Sequence, residues 1–143
     1  MSARGLVHHV DLTVSDLARS RLFYDAVLGF MGYARADDHA NGTDWDWRGA
    51  AEPGAPFHSI GIVLARGENA GRGHDRYSPG LHHLAWAAND PADVDRLHAL
   101  LLEIGATVLD PPAFYPQYGP DYYAVFFADP DGLKLEFVSG RTG

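Results

Sequence analysis

Two adjacent histidine pairs and one glutamate carry the chemistry that this sequence can offer. His8-His9 lies in the run Leu6-Val7-His8-His9-Val10-Asp11-Leu12-Thr13-Val14. His82-His83 lies in Gly80-Leu81-His82-His83-Leu84-Ala85-Trp86-Ala87-Ala88, which reads as a second copy of the first. Glu136 stands in the last apolar run, from Leu133 to Ser139. Imidazole nitrogen and carboxylate oxygen are ligands for a divalent cation. With 0 cysteines, thiolate metal sites, thiol nucleophiles and disulfides are excluded. Nitrogen and oxygen donors suit iron, manganese, zinc, nickel or cobalt better than copper(I) or iron–sulfur clusters.

Strand alternation sorts these residues by face. In the first run Val10, Leu12 and Val14 form an apolar face, and His9, Asp11 and Thr13 form the polar one. In the repeat, His83 shares a face with Ala85 and Ala87, opposite Leu84, Trp86 and Ala88. In the last run Leu133, Leu135 and Phe137 oppose Lys134, Glu136 and Val138. If each apolar face packs against a helix, then His9, His83 and Glu136 point into one cavity. Two imidazoles and a carboxylate can fill one face of an octahedron and leave positions open for substrate or water. A cation would also offset the cost of burying the ionised acid. Asp11, two residues beyond His9 on the same face, is the candidate acid–base group. His8 and His82 point away and read as structural.

The elements that must position these residues follow from periodicity. After each first strand comes an aspartate, Asp16 or Asp90, and then a helical pattern. Leu17, Ser20, Tyr24 and Val27 mark one helix face over about 17–28, ended by Gly29. Val94, Leu97, Leu101 and Ile104 mark the second helix, opened by Pro91 and ended by Gly105. Strands are expected at 30–36, 43–49 and 58–65, then at 106–109, 121–128 and 133–139. Segments 37–42, 51–56 and 67–79 read as loops, and Asp129-Pro130-Asp131-Gly132 reads as a tight hairpin turn. The expectation is an α+β fold of two paired βαβββ modules, about 6–66 and 80–139 of a single domain. Their sheets would form a curved half-barrel cup with the helices outside. Trp45, Trp47, Phe57, Tyr115, Tyr118, Tyr122 and Tyr123 are aromatics that could line a substrate pocket.

Bulk properties narrow the class further. A hydrophobic content of 46% rules out a disordered chain, and no apolar run reaches membrane-spanning length. The formal charge of −8 repels phosphate backbones, so nucleic acid is not an expected partner. The N-terminal residues lead straight into a strand pattern with no signal-peptide core, so a cytoplasmic protein is expected.

The run from His9 to Leu17, followed by Phe23-Tyr24 and Leu28-Gly29-Phe30, resembles the opening signature of the vicinal-oxygen-chelate superfamily, the glyoxalase, bleomycin-resistance and extradiol dioxygenase group. His83-Leu84-Ala85 resembles the start of its second module. The run from Asp129 to Glu136 resembles its closing turn and strand, where the glutamate is a metal ligand. The resemblance covers nearly the whole chain. It implies one divalent metal ion (Fe2+, Mn2+, Zn2+ or Ni2+) on His9, His83 and Glu136, and a homodimer. It also implies a small oxygen-bearing substrate that chelates the metal, and either a lyase or isomerase reaction or ring-cleaving dioxygenation. On that basis Asp11 and Tyr123 are the candidate catalytic residues, and Trp45, Phe57, Tyr115 and Tyr118 the candidate substrate contacts. A sequestering protein of the bleomycin-resistance type is the alternative, although such proteins lack the ligands that this chain keeps. Two departures bear on the reaction. The strand Ser59-Ile60-Gly61-Ile62-Val63-Leu64 lacks the fourth ligand of glyoxalase I, and Phe126 stands where extradiol dioxygenases carry a tyrosine ten residues before the glutamate.

Overall fold

A computed structural model describes residues 4–140. The chain divides into two compact units, with the boundary in sequence between Arg72 and Gly73. The first contains β1 (His9–Val14), α1 (Leu17–Phe30), β2 (Tyr33–His39), β3 (Gly42–Trp47) and β4 (Ser59–Leu64). The second contains β5 (Leu84–Ala87), α2 (Pro91–Glu103), β6 (Thr107–Phe114), β7 (Tyr123–Ala128) and β8 (Lys134–Ser139). Each is a βαβββ unit with an open four-stranded sheet, ordered β1-β4-β3-β2 and β5-β8-β7-β6. The first strand of each unit pairs parallel with the last, and the remaining pairs are antiparallel. The repeat of the sequence is therefore a repeat of topology. Among the described residues no helix is long and apolar enough to cross a membrane.

Both helices start at the expected aspartates. The Asp16 carboxylate accepts from the Arg19 amide at 3.0 Å, and that of Asp90 accepts from the Asp93 amide at 2.8 Å. Each cap is worth about 1 kcal/mol. The second helix ends where expected, before Gly105 at φ +70°. The first does not end at Gly29. It runs on to Phe30, because Val27 and Leu28 are fully buried and anchor its last turn, and Gly32 supplies the left-handed residue at φ +93°.

Each helix covers the apolar face of its own sheet. In the first unit Leu12, Val14, Ile60 and Ile62 of the sheet and Phe23, Tyr24, Val27 and Leu28 of the helix are buried. In the second Val125, Phe127, Leu135 and Phe137 meet Val94, Leu97 and Leu101. Fully burying side chains of this kind contributes about 1.5–3 kcal/mol each.

The strands expected at 30–36 and 43–49 are observed as Tyr33–His39 and Gly42–Trp47, and two further segments differ in kind from their expected form. Residues 37–42 are not a loop but the tip of a β2–β3 hairpin, with only Ala40 and Asn41 between the strands. Arg21 of α1 secures it: its Nε donates to the Thr43 hydroxyl at 2.6 Å and its guanidinium pairs with Asp38 at 3.0 Å. Strand β6 continues through Pro111 and Pro112 to Phe114. It is an edge strand with register shifts between Val108 and Ala113, the setting in which proline costs no ladder hydrogen bond. The 129–132 turn forms as expected. Asp129 Oδ1 accepts from the amides of Asp131 and Leu133, both at 2.9 Å, and Gly132 takes φ +85°.

Candidate functional site

In the second unit the face opposite α2 gathers the ligand candidates. Cross-strand register aligns Ala85 with Glu136 and Glu136 with Phe126. His83, two residues before Ala85, falls on the same face. Its Nε2 lies 3.1 Å from Oε1 of Glu136. The Glu136 side chain is only 2% exposed, whereas that of His83 is 34% exposed. The second Glu136 oxygen, Oε2, accepts from the Tyr122 hydroxyl. Burial, then the hydrogen bond to Glu136, push the Tyr122 phenol well above its ordinary range, so it stays a donor.

An aromatic wall adjoins this pair. The Tyr115 and Tyr118 rings stack at 5.8 Å and 21°, and Tyr118 meets Tyr122 at 5.4 Å. Tyr115 also packs edge-on against Phe126 at 5.4 Å. Burial, with help from the Asp110 and Glu136 charges, raises the Tyr115 phenol as well. The Lys134 ammonium lies over the Phe126 ring, 4.6 Å from its centre. His82 is held below the usual histidine range by desolvation, then by the charges of His83, Lys134 and Arg76.

In the first unit His9 and Asp11 are exposed on the face of β1 opposite α1. Asp11, Gly61 and Asp44 lie side by side across β1, β4 and β3. Both carboxylates lean over the glycine: a Cβ there would come within 2.3 Å of Asp11 Oδ1 and 2.6 Å of Asp44 Oδ1. Position 61 therefore accepts no larger residue without moving an acid. Asp44 also belongs to a second group of possible ligands, Asp37, His39 and Asp44, whose donor atoms lie within 4.8 Å of one another.

The donor set of the second unit suits a metal. Ligands about 2.1 Å from an ion and at right angles to each other stand about 3.0 Å apart, close to the His83–Glu136 spacing. Carboxylates that bind metals are themselves hydrogen-bonded by a further group, as Glu136 is by the Tyr122 hydroxyl.

The sequence profile of the glyoxalase/bleomycin resistance protein/dioxygenase superfamily matches residues 6–137. The chain belongs to that superfamily. The uncharacterised Bacillus subtilis protein YqjT is 32% identical over 133 residues, covering 93% of this chain and 98% of YqjT. The crystal structure of a candidate glyoxalase from Bacillus halodurans matches with a TM-score of 0.78 at 29% identity, covering 96% of this chain and 97% of that one. Lactoylglutathione lyase from Agrobacterium tumefaciens matches with a TM-score of 0.66, covering 97% of this chain and 96% of that one. At 18% identity that likeness is one of fold.

Within this superfamily chain, the expected site residues fall on different faces of the two sheets. His83, Glu136, Tyr115 and Tyr118 come together in the second unit. His9 and Asp11 share a strand face in the first. Phe57 is half-exposed and packs on the His8 ring at 4.6 Å. Trp45 does not line a pocket: it is 1% exposed on the helix side of its sheet, where its indole donates to Asp25 at 2.9 Å. Tyr123 likewise faces α2, and its hydroxyl donates to Asp95 at 2.7 Å, so it lies on the side of β7 away from Glu136. Tyr122 takes the place beside the carboxylate. Sequence reading put Tyr122 only among the possible pocket aromatics. The signal that distinguishes it is parity, since the 129–132 turn sets even-numbered residues of β7 opposite even-numbered residues of β8.

Proposed function

We propose that this chain is a divalent-metal-dependent enzyme whose substrate is a small molecule with adjacent oxygen atoms. The observation that carries this reading is the buried Glu136 carboxylate, shared between His83 and the Tyr122 hydroxyl. His83 and Glu136 are the residues of the second unit that would hold the ion, His9 is the candidate ligand of the first, and Fe2+, Mn2+, Zn2+ and Ni2+ all suit such donors. A bound ion would supply Lewis acidity toward an oxygen of the substrate.

The chain's own groups have separate tasks. Tyr122 keeps its proton on the phenol and holds Oε2, leaving Oε1 directed toward His83. Tyr115 and Tyr118 offer ring faces to the organic part of a substrate and limit water around it. Asp11, on the His9 face, is the candidate for moving a proton to or from the substrate. Lyase or isomerase chemistry and ring-cleaving dioxygenation both accommodate these roles. We also read the protein as a cytoplasmic homodimer, to be tested by light scattering and cell fractionation.

Elemental analysis of protein purified without added metal or chelator tests the central reading, beside His83→Ala and Glu136→Ala. About one metal per chain, lost in both variants, is the expected result. Iron would favour the dioxygenase, zinc or nickel the lyase or isomerase. If metal stays absent after reconstitution with iron, manganese, zinc and nickel, the enzyme reading gives way to a protein that sequesters a small molecule.

A further inference from the structure

The two histidine pairs share one geometry. In the first unit Nδ1 of His8 lies 3.0 Å from Nδ1 of His9, with the rings 5.2 Å apart at 83°. In the second, Nδ1 of His82 lies 2.8 Å from Nδ1 of His83, with the rings 5.0 Å apart at 75°. The first ring of each pair also meets an aromatic of its own unit. Phe57 packs on His8 at 4.6 Å, and Tyr77 meets His82 edge-on at 5.9 Å. The arrangement arises separately in each unit.

A neutral imidazole carries one hydrogen, on Nδ1 or on Nε2. Two Nδ1 atoms at hydrogen-bonding distance therefore need one protonated and one bare nitrogen. Two arrangements satisfy this at His82 and His83. When His82 donates, the His83 hydrogen sits on Nε2 and is directed at Oε1 of Glu136, 3.1 Å away. When His83 donates, its Nε2 is bare, which is the form in which an imidazole coordinates a metal through that atom. A metal-bound histidine usually gives its other N–H to a carboxylate or carbonyl, which can only accept. Here the partner is a second imidazole, which can either donate or accept.

We propose that His82, and by the same geometry His8, is a positioning residue that sets the tautomer and ring angle of the neighbouring histidine. The inference rests on the reading of His83 and His9 as ligands. Without metal the hydrogen bonds run from His82 to His83 to Glu136. With metal the Nδ1–Nδ1 bond reverses. The Nδ1 hydrogen passes from His82 to His83, the Nε2 hydrogen of His83 leaves to water, and Nε2 of His82 takes one from water. The number of ring hydrogens on the pair is the same in both arrangements.

The test uses the full chain and zinc alone as the probe, with His82→Ala and His82→Asn as variants. His82 is exposed, so neither variant removes a core residue. An asparagine amide reaches the former Nδ1 position and can donate or accept, whereas alanine can do neither. Zinc affinity, measured by chelator competition, should fall about 10–100-fold in His82→Ala, as for other lost partners of metal-bound histidines, and recover in His82→Asn. Nitrogen-15 NMR should find His83 protonated on Nε2 in the metal-free wild type and on Nδ1 after zinc is added. Equal zinc affinity in wild type and His82→Ala overturns the proposal. A wild type that binds no zinc overturns the metal reading instead, and the metal-free tautomer still decides the positioning role. His83 held on Nε2–H in wild type but mixed in His82→Ala supports it, and the same tautomer in both overturns it.

Discussion

The Tyr122 hydroxyl donates to one oxygen of Glu136 while Nε2 of His83 stands 3.1 Å from the other. The carboxylate is thus oriented from both sides inside a face where it is almost wholly removed from water. Tyr122→Phe keeps the ring and its contacts with Tyr115 and Tyr118 but frees Oε2 to rotate. Zinc affinity of that variant should drop by about tenfold or more, and because a buried carboxylate oxygen loses its donor the metal-free protein should also lose about 1–3 kcal/mol. Isothermal calorimetry beside a melting curve separates these effects, and undiminished affinity would leave Tyr122 with packing alone.

Tyr123, its neighbour in sequence, makes the opposite prediction. Its hydroxyl ties β7 to Asp95 of α2, and that hydrogen bond, then burial, raises its phenol above the usual range. Tyr123→Phe should cost about 0.5–1.5 kcal/mol in urea unfolding and leave metal binding untouched. A variant with wild-type stability and impaired metal binding would return Tyr123 to the site.

The contrast between these two tyrosines marks how far the sequence could be read. The histidine and glutamate positions could be sorted by face because each lies on, or directly before, a short strand whose opposite face is plainly apolar, so alternation decides its side. Phe126 and Tyr122 sit in a run, Tyr122 to Ala128, that is apolar or aromatic on both faces, and there alternation carries no signal. Only the register fixed by the Asp129 turn assigns them. Trp45 misled for a related reason. The run Thr43-Asp44-Trp45-Asp46 suggests an exposed strand, yet the acids line one face and the indole is buried on the other. The hairpin at 37–42 was obscured by its charges, which are held there by Arg21 and Arg35 from outside the segment or its tip.

That hairpin carries a pH signature. Asp38 lies below its ordinary value of 3.8, chiefly because the Thr43 hydroxyl donates to it, with desolvation opposing and Arg21, Arg35 and His39 assisting. A carboxyl depressed in the folded state adds stability above its unfolded value, and this is lost as pH falls through the folded one. Thr43→Val removes the hydroxyl and should return Asp38 toward 3.8. The stability gap between wild type and variant should therefore narrow as pH drops from about 5 to 2. Carbon-13 NMR titration of Asp38 with urea unfolding across that range checks both parts, and a gap independent of pH would contradict the assignment.

Asp11 offers the sharpest separation between holding a metal and using one. It shares the His9 face of β1, but its carboxylate leans over Gly61 toward that of Asp44. Asparagine preserves its shape and removes its charge and its capacity to exchange a proton. Asp11→Asn should therefore keep wild-type metal content, whereas His9→Ala should lose metal. With a substrate in hand, turnover of Asp11→Asn should fall by about 10²–10⁴, the range of a lost general acid or base. Retained metal with unchanged turnover would reduce Asp11 to a surface acid. Lost metal would instead move it among the ligands, where Asp37, His39 and Asp44 already place donor atoms close together on β2 and β3 of the same sheet.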